Sequence, residues 1–427
     1  MGDGDRAGGR GELGQVLASR DPRVRARVPS GGRSRPALHR GHDDAGFVAA
    51  AASRREDRVD AAARDRARRR ARPGSGRPYR SRTHVNGIGV DFTSSNYLDY
   101  RHGHDRLRPW RRLTTGLPPA LGEFRRSARL AAELARRTGR SAGVLETSTL
   151  HAFVDGWAVL TARPAAVFID EEAYPIGRIG LRANGLSGKV VRHFDPGHLS
   201  EALRRLPSGR RPVLLVDGLC PGCGRLAPLR ELVDVLAPRR GVVLVDDTQA
   251  MGVGATASLS LPSSAPVVVV ASAAKGYGVP LAVLTGPETL VRQVRHEAPT
   301  RLHGSGPSAA AQTALAQVLA VDSTEGARRR RILAELIELF QSGLRQYRLP
   351  AADGGRWPTQ TVPVPREFCA SVRASLLRQG VRTVAVNRRC RSGLGIAFLI
   401  NAGHRPADVE RAVDALAAAF AELRVAS

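Results

Sequence analysis

Five short apolar runs limit what this chain can fold into: Ala165–Ile169, Pro212–Val216, Val242–Val245, Val267–Val270 and Ala282–Leu284. None shows the polar alternation of a half-exposed strand, so each needs cover on both faces. Helical segments lie between them. Leu229–Leu236, between the second and third runs, has amphipathic spacing and suits a right-handed crossover. The pattern predicts an α/β fold, with a mostly parallel central sheet flanked by helices.

Upstream, Phe124, Ala128, Ala131, Leu134 and Ala135 recur at helical spacing, with Gly139 as a stop. Residues 87–92 read as a hairpin entering the body. Beyond Pro307 the spacing predicts helices at Ser308–Val321 and Ala327–Tyr347, then an extended stretch at Thr359–Val364. A helix at Glu367–Gln379, strands at Val381–Val386 and Gly395–Ile400, and a final helix at Pro406–Leu423 complete a smaller α+β domain. The expected division is a basic extension (1–82), an N-terminal arm (83–108), a large domain (109–322) and a small C-terminal domain (323–427).

Charge separates the extension from the rest. Residues 1–82 hold 21 arginines against 10 acids, a net +11 of the chain's +27, with few large apolar side chains. Such a stretch cannot bury enough surface to offset its ordering entropy, so disorder is expected there. The run Arg64–Arg70 suits phosphate contacts, but no aromatics are interleaved for base stacking. A solvated tail is the expectation, with nucleic acid not a partner, and ten acids argue against a transit peptide. No apolar stretch approaches the roughly 20 residues of a membrane span. The N-terminus lacks the apolar core of a secretory signal, so a cytoplasmic protein is expected.

Of the four cysteines, Cys220-Pro221-Gly222-Cys223 has the spacing of a zinc half-site or a redox pair. Cys369 and Cys390 stand far from it and from each other. A plain turn is expected, and no metal.

The chain keeps only two lysines, Lys189 and Lys275, among 66 Lys and Arg residues. Arginine replaces lysine as a surface cation but not as an amine nucleophile, because its guanidinium stays protonated. Lys275 follows the strand Val267–Val270 and precedes Gly276-Tyr277-Gly278. A lysine amine tuned by burial can form a Schiff base with a carbonyl. Asp246 closes the neighbouring strand, and ligands in open α/β sheets bind beyond the carboxyl ends of strands. An acid and an amine thus converge on one crevice.

These residues resemble the pyridoxal 5'-phosphate (PLP) enzymes of the aspartate-aminotransferase fold, and within it the α-oxoamine synthases. From about residue 84 onward the segments keep that family's order. Asp91-Phe92-Thr93-Ser94-Ser95-Asn96-Tyr97-Leu98 is similar to N-F-S-S-N-D-Y-L, and Asp217-Gly218 through Gly224 with Ala227-Pro228-Leu229 to E-G-x-x-S-M-x-G…A-P-L. Val245-Asp246-Asp247-Thr248-Gln249-Ala250-Met251-Gly252 parallels V-D-D-A-H-x-x-G. Ser272-Ala273-Ala274-Lys275-Gly276-Tyr277-Gly278 parallels [ST]-x-x-K-[AG]-[FY]-G, and Ala402-Gly403-His404 with Asp408 the closing A-A-H-x-x-x-D-I.

The resemblance implies a fold-type I PLP transferase. Lys275 would carry the cofactor and act as base at the substrate Cα. Asp246 would keep the pyridinium nitrogen protonated. Ser148 and Thr149 at a helix start, with Ser272, would hold phosphate. Ser305 would add a hydroxyl from a partner subunit, in a homodimer with its active site at the interface.

The chain also departs from the family. Tyr174 replaces the ring-stacking histidine. Gln249 replaces the histidine that bonds the cofactor's phenolic oxygen, and it can donate but not titrate. Ala397 stands where the substrate-carboxylate arginine belongs, leaving Arg388, Arg389 or Arg391 to compensate.

The implied reaction condenses an amino-acid-derived carbanion with an acyl thioester, on CoA or a carrier protein, with decarboxylation. The alternative is amino-group transfer on the same fold, which Tyr174 favours. A third reading, a degenerate cofactor-binding scaffold with a nucleic-acid-binding tail, is opposed by intact Asp246 and Lys275.

Overall fold

The computed structural model describes residues 89–102 and 113–426, apart from Ala255, Arg389 and Ser392. The expected basic extension lies outside the described residues. The chain begins with β1 (Val90–Asp91), α1 (Arg125–Arg137), β2 (Ala142–Glu146), α2 (Thr149–Leu160) and β3 (Ala165–Asp170). It continues through α3 (Pro175–Ala183), β4 (Lys189–Val191), α4 (Pro196–Arg204), β5 (Arg211–Asp217), α5 (Leu229–Leu236) and β6 (Val242–Asp246). Next come β7 (Val267–Ser272), α6 (Ala273–Tyr277), β8 (Ala282–Gly286), α7 (Glu288–Glu297), α8 (Pro299–His303) and the long α9 (Ala309–Gln346). Last are β9 (Thr359–Val364), α10 (Cys369–Arg378), β10 (Val381–Arg382), β11 (Val384–Asn387), β12 (Leu394–Leu399) and α11 (Pro406–Ala426).

All five apolar runs lie in one seven-stranded sheet of order β2-β8-β7-β6-β5-β3-β4. Only β8 opposes its neighbours; every other pair is parallel. The sheet is covered on both faces, which is why its strands lack alternation. Phe153, Trp157 and Leu160 of α2 pack with Val291 and Val294 of α7 against one face. Leu199 and Leu203 of α4 with Leu229, Leu232 and Leu236 of α5 cover the other. Trp157 is fully buried and its indole N–H donates to the Gly177 carbonyl at 2.9 Å, tying α2 to α3. Replacing such a residue by alanine costs about 3–5 kcal/mol.

Three expectations need correction. Within the expected hairpin, Val90 and Asp91 instead pair in parallel with Val381 and Arg382, a partner that local spacing cannot reveal. The run Val381–Val386 is divided between sheets, since β10 pairs with β1 while β11 joins the antiparallel sheet β11-β12-β9. The two helices expected after Pro307 are one helix of 38 residues. Its polar middle, which reads as a break, is bonded inward: the Asp322 carboxylate accepts from Tyr100, Arg137 and Arg330.

Parallel pairing brings the carboxyl ends of β3, β5, β6 and β7 to one edge of the sheet. Their last residues are Asp170, Asp217, Asp246 and Ser272. Four polar residues ending four buried strands mark the edge where ligands bind.

Candidate active site

Asp246 and Asp217 face each other in register across β6 and β5, 7% and 5% exposed. Burial raises the Asp246 carboxyl, against the opposing pull of its hydrogen bonds from Thr248 and of the Lys275 charge. Burial pushes Asp217 further up, and the neighbouring Asp246 charge adds to it. Two adjacent buried carboxylates cannot both ionise cheaply without a cation between or beside them. Asp217 is anchored by the Tyr174 backbone N–H at 3.0 Å, and one Asp246 oxygen accepts the Thr248 N–H at 3.0 Å.

Lys275 supplies the nearest amine. Strand β7 runs directly into α6, where the Ser272 hydroxyl caps the helix by accepting the Ala274 N–H at 3.1 Å. The Lys275 carbonyl accepts the Tyr97 N–H at 3.0 Å, so the N-terminal arm pins this turn. Burial lowers the Lys275 ammonium, with Asp246 and Asp217 opposing. A depressed amine is what a lysine nucleophile needs near neutral pH. Gly276 is required by contact: a Cβ there would lie 2.1 Å from the Met251 carbonyl oxygen.

Around this pair stand the other expected residues. Ser148 is the N-cap of α2, its hydroxyl accepting from the His151 N–H, and Thr149 is the first helical residue. The expected helix start is thus in place, and the N-terminal end of a helix favours an anion. The Thr147 hydroxyl donates to the Ser305 carbonyl at 3.0 Å within the same chain. Tyr174 occupies the N-cap position of α3, 51% exposed, with its backbone N–H held by the Asp217 carboxylate. The Gln249 carbonyl oxygen accepts the Tyr97 hydroxyl at 2.9 Å. That bond leaves its NH₂ to donate elsewhere.

The arginines are placed differently. Arg388 donates to Asp353 at 2.8 Å and Arg391 lies 3.5 Å from the same carboxylate; Arg389 lies outside the described residues. Both guanidinium groups therefore already face an acid of their own chain. Ala397 is buried in β12 between Val384 and Thr361. Sequence reading assigned no role to Asp217, Asp247 or Tyr97. The strand-end rule that found Asp246 applies equally to Asp217, which closes the run at Pro212–Val216.

The residues fit PLP. A buried carboxylate with acceptor capacity suits a pyridinium N–H, a depressed amine suits an aldehyde, and a capped helix start suits a phosphate.

Comparison with known proteins agrees with this geometry. Residues 120–416 match the family described as aminotransferase class I and II. The chain is 32% identical to the 8-amino-7-oxononanoate synthase of Halorhodospira halophila over 302 residues, 68% of this chain and 74% of that one. The Citrobacter koseri enzyme of the same name is 28% identical over 60% of this chain and 69% of its own length. Among solved structures, serine palmitoyltransferase from S. paucimobilis superposes with a TM-score of 0.69 at 18% identity, covering 80% of this chain and 89% of that one. The matched region contains both Asp246 and Lys275, and the chain belongs to the class I and II aminotransferase family, as a PLP-dependent transferase of the α-oxoamine synthase group with the fold-type I architecture.

Proposed function

We propose that this enzyme condenses an amino-acid-derived carbanion with an acyl thioester, releasing the thiol and losing the substrate carboxyl as CO₂. The 32% identity to 8-amino-7-oxononanoate synthase over 302 residues carries this reading. Bound PLP supplies the electron sink for a carbanion beside the amino group. Lys275 holds the cofactor and then moves the proton at the substrate Cα. Asp246 keeps the ring nitrogen protonated, and Asp217 supports it from the next strand. Ser148, Thr149 and Ser272 receive the phosphate, with Ser305 beside them. Tyr174 covers the ring face, and the Gln249 amide donates to the phenolic oxygen.

Arg388, Arg389 and Arg391 are proposed as the carboxylate-binding group, with Asp353 setting the direction of two of them. A cytoplasmic homodimer with the site at its interface completes the reading. Its support is an apolar surface: Leu113, Leu117 and Leu121 are 51%, 51% and 74% exposed on a segment bonded to residues 301 and 309, close to Ser305. Small and large domains divide along α9, near residue 322. Tyr174, a departure from the synthase pattern, favours the second reading, amino-group transfer.

The test is thiol release from acyl-CoA and acyl-carrier donors in the presence of each amino acid. Lys275→Arg keeps the charge and is expected to reduce turnover by about 10²–10⁴-fold or more. Conversion of the bound cofactor to its amine form, with no thiol released from any donor, would overturn condensation in favour of transfer.

A further inference from the structure

The Cys220-Pro221-Gly222-Cys223 turn is not alone in the folded chain. Its two thiols, the Cys390 thiol and the His193 ring bring one ligand atom each within 4.8 Å of one another. Cys220 Sγ lies 3.1 Å from Cys390 Sγ, and Cys223 Sγ lies 3.5 Å from His193 Nε2. A disulfide requires sulfurs near 2.05 Å apart, and all four cysteines are free thiols. Zinc–sulfur and zinc–nitrogen bonds of about 2.3 and 2.0 Å in a tetrahedron separate their ligands by roughly 3.5–3.8 Å. The cluster is close to that size. We propose that His193, Cys220, Cys223 and Cys390 form a structural Cys₃His zinc site.

The surroundings support a metal over a chance meeting of thiols. His193 Nδ1 lies 2.8 Å from Asp170 Oδ1, which fixes the tautomer and aims Nε2 at the sulfurs. A carboxylate behind the non-ligating nitrogen is the usual outer partner of a zinc-bound histidine. The next residue, Phe194, is bulky yet adopts φ +52°, a conformation held only where the surroundings demand it. That strain turns the Phe194 N–H onto the second Asp170 oxygen at 2.8 Å while His193 holds the first. Gly222 leaves the sulfurs room: a Cβ there would sit 3.2 Å from Cys390 Sγ and 3.6 Å from Cys220 Sγ. Three thiolates and a neutral imidazole on Zn²⁺ leave one negative charge. Arg225, whose guanidinium stacks over Phe194 at 5.6 Å and reaches Cys223, balances it.

Four protein ligands close the coordination shell, which makes the site structural and not catalytic. Its ligands come from three places: His193 after β4, the cysteine turn after β5, and Cys390 between β11 and β12. The metal therefore fastens the β11–β12 hairpin of the three-stranded sheet to the carboxyl edge of the seven-stranded one. The turn begins three residues beyond Asp217, and Asp170 closes the strand beside β5. Binding free energy at such a site adds to folding.

The full chain, expressed in zinc-supplemented medium and purified without chelator, is assayed by elemental analysis. One zinc per chain is expected. Cys220→Ser and Cys390→Ser should each lose it, whereas Cys369→Ala, a buried thiol outside the cluster, should keep it. As a measurement independent of how the serine variants fold, the wild type is also stripped with chelator and titrated with Co²⁺, which should produce the intense thiolate-to-cobalt absorption of a tetrahedral site at one equivalent. Protein that holds no metal and gives no such absorption overturns the proposal. So does a Cys220–Cys390 disulfide in freshly purified, unreduced protein, and iron in place of zinc overturns the choice of ion.

Discussion

Asp247 shows how far depth, as distinct from sequence order, sets a residue's behaviour. It follows Asp246 directly, yet its side chain is fully buried behind the site, where Oδ2 accepts the Ser258 hydroxyl at 3.3 Å. Burial, and then the Asp246 charge, push its carboxyl up to about 7. A folded-state value above the unfolded one means that the native state holds the proton more tightly. The associated stability is complete below about pH 4 and is lost as pH rises through about 7. Wild type should therefore lose about 2–3 kcal/mol more than Asp247→Asn between pH 5 and pH 8, read from urea unfolding midpoints. Parallel pH profiles for the two proteins would show that Asp247 is ionised in the fold. Asp246 and Lys275 were legible in the sequence because their chemistry demands those residue types at strand ends. The roles of Asp217 and Asp247 depend on which neighbour lies across the sheet or beneath it, and adjacency in the chain does not report that.

Within elements, α9 carries a constraint that opposes its own helix propensity. Asp322, Gly326 and Arg330 are spaced four apart on one face, and the Asp322–Arg330 ion pair at 2.8 Å spans the glycine between them. A Cβ on Gly326 would lie 2.2 Å from Asp322 Oδ1 and 2.4 Å from the Arg330 guanidinium. Alanine improves an exposed helix by about 1 kcal/mol over glycine. Here it would displace a carboxylate, 2% exposed, that also accepts from Tyr100 at 2.7 Å, and loosening such a bond costs more than the gain. Gly326→Ala should lower stability by about 1–2 kcal/mol; a raised melting temperature would mean that the network yields freely. The same residues explain why α9 read as two helices. Asp322 to Gly326 is a polar, glycine-containing stretch whose partners lie on α1 and on the N-terminal arm. The central strands, by contrast, were legible almost to the residue, since burial on both faces leaves an unbroken apolar run. Edge strands were not: β4 has three residues, begins with Lys189 and leaves two of them exposed.

Across the whole molecule, Tyr97 joins parts that the chain keeps far apart. It comes from the N-terminal arm, is 1% exposed, and donates its hydroxyl to Gln249 in the loop after β6. The same hydroxyl lies 3.1 Å from the Thr359 hydroxyl at the start of β9, in the three-stranded sheet. Burial pushes its phenol up to about 12, so it remains a neutral donor at any physiological pH. A tyrosine hydroxyl has one proton to give. Given to the Gln249 carbonyl oxygen, it fixes the amide with NH₂ as the remaining face, the orientation a phenolic oxygen of the cofactor needs. Tyr97→Phe keeps the ring packing and frees the amide to turn. One lost hydrogen bond is worth about 1 kcal/mol, so the dissociation constant for PLP should rise about fivefold. Titration of the stripped protein with PLP, followed by absorbance, reads that change. Gln249→Leu should weaken PLP by a similar factor, and adding Tyr97→Phe to it should cost little more, because both act through one amide. Independent losses that add would make Tyr97 a strut between the sheets, without influence on the cofactor.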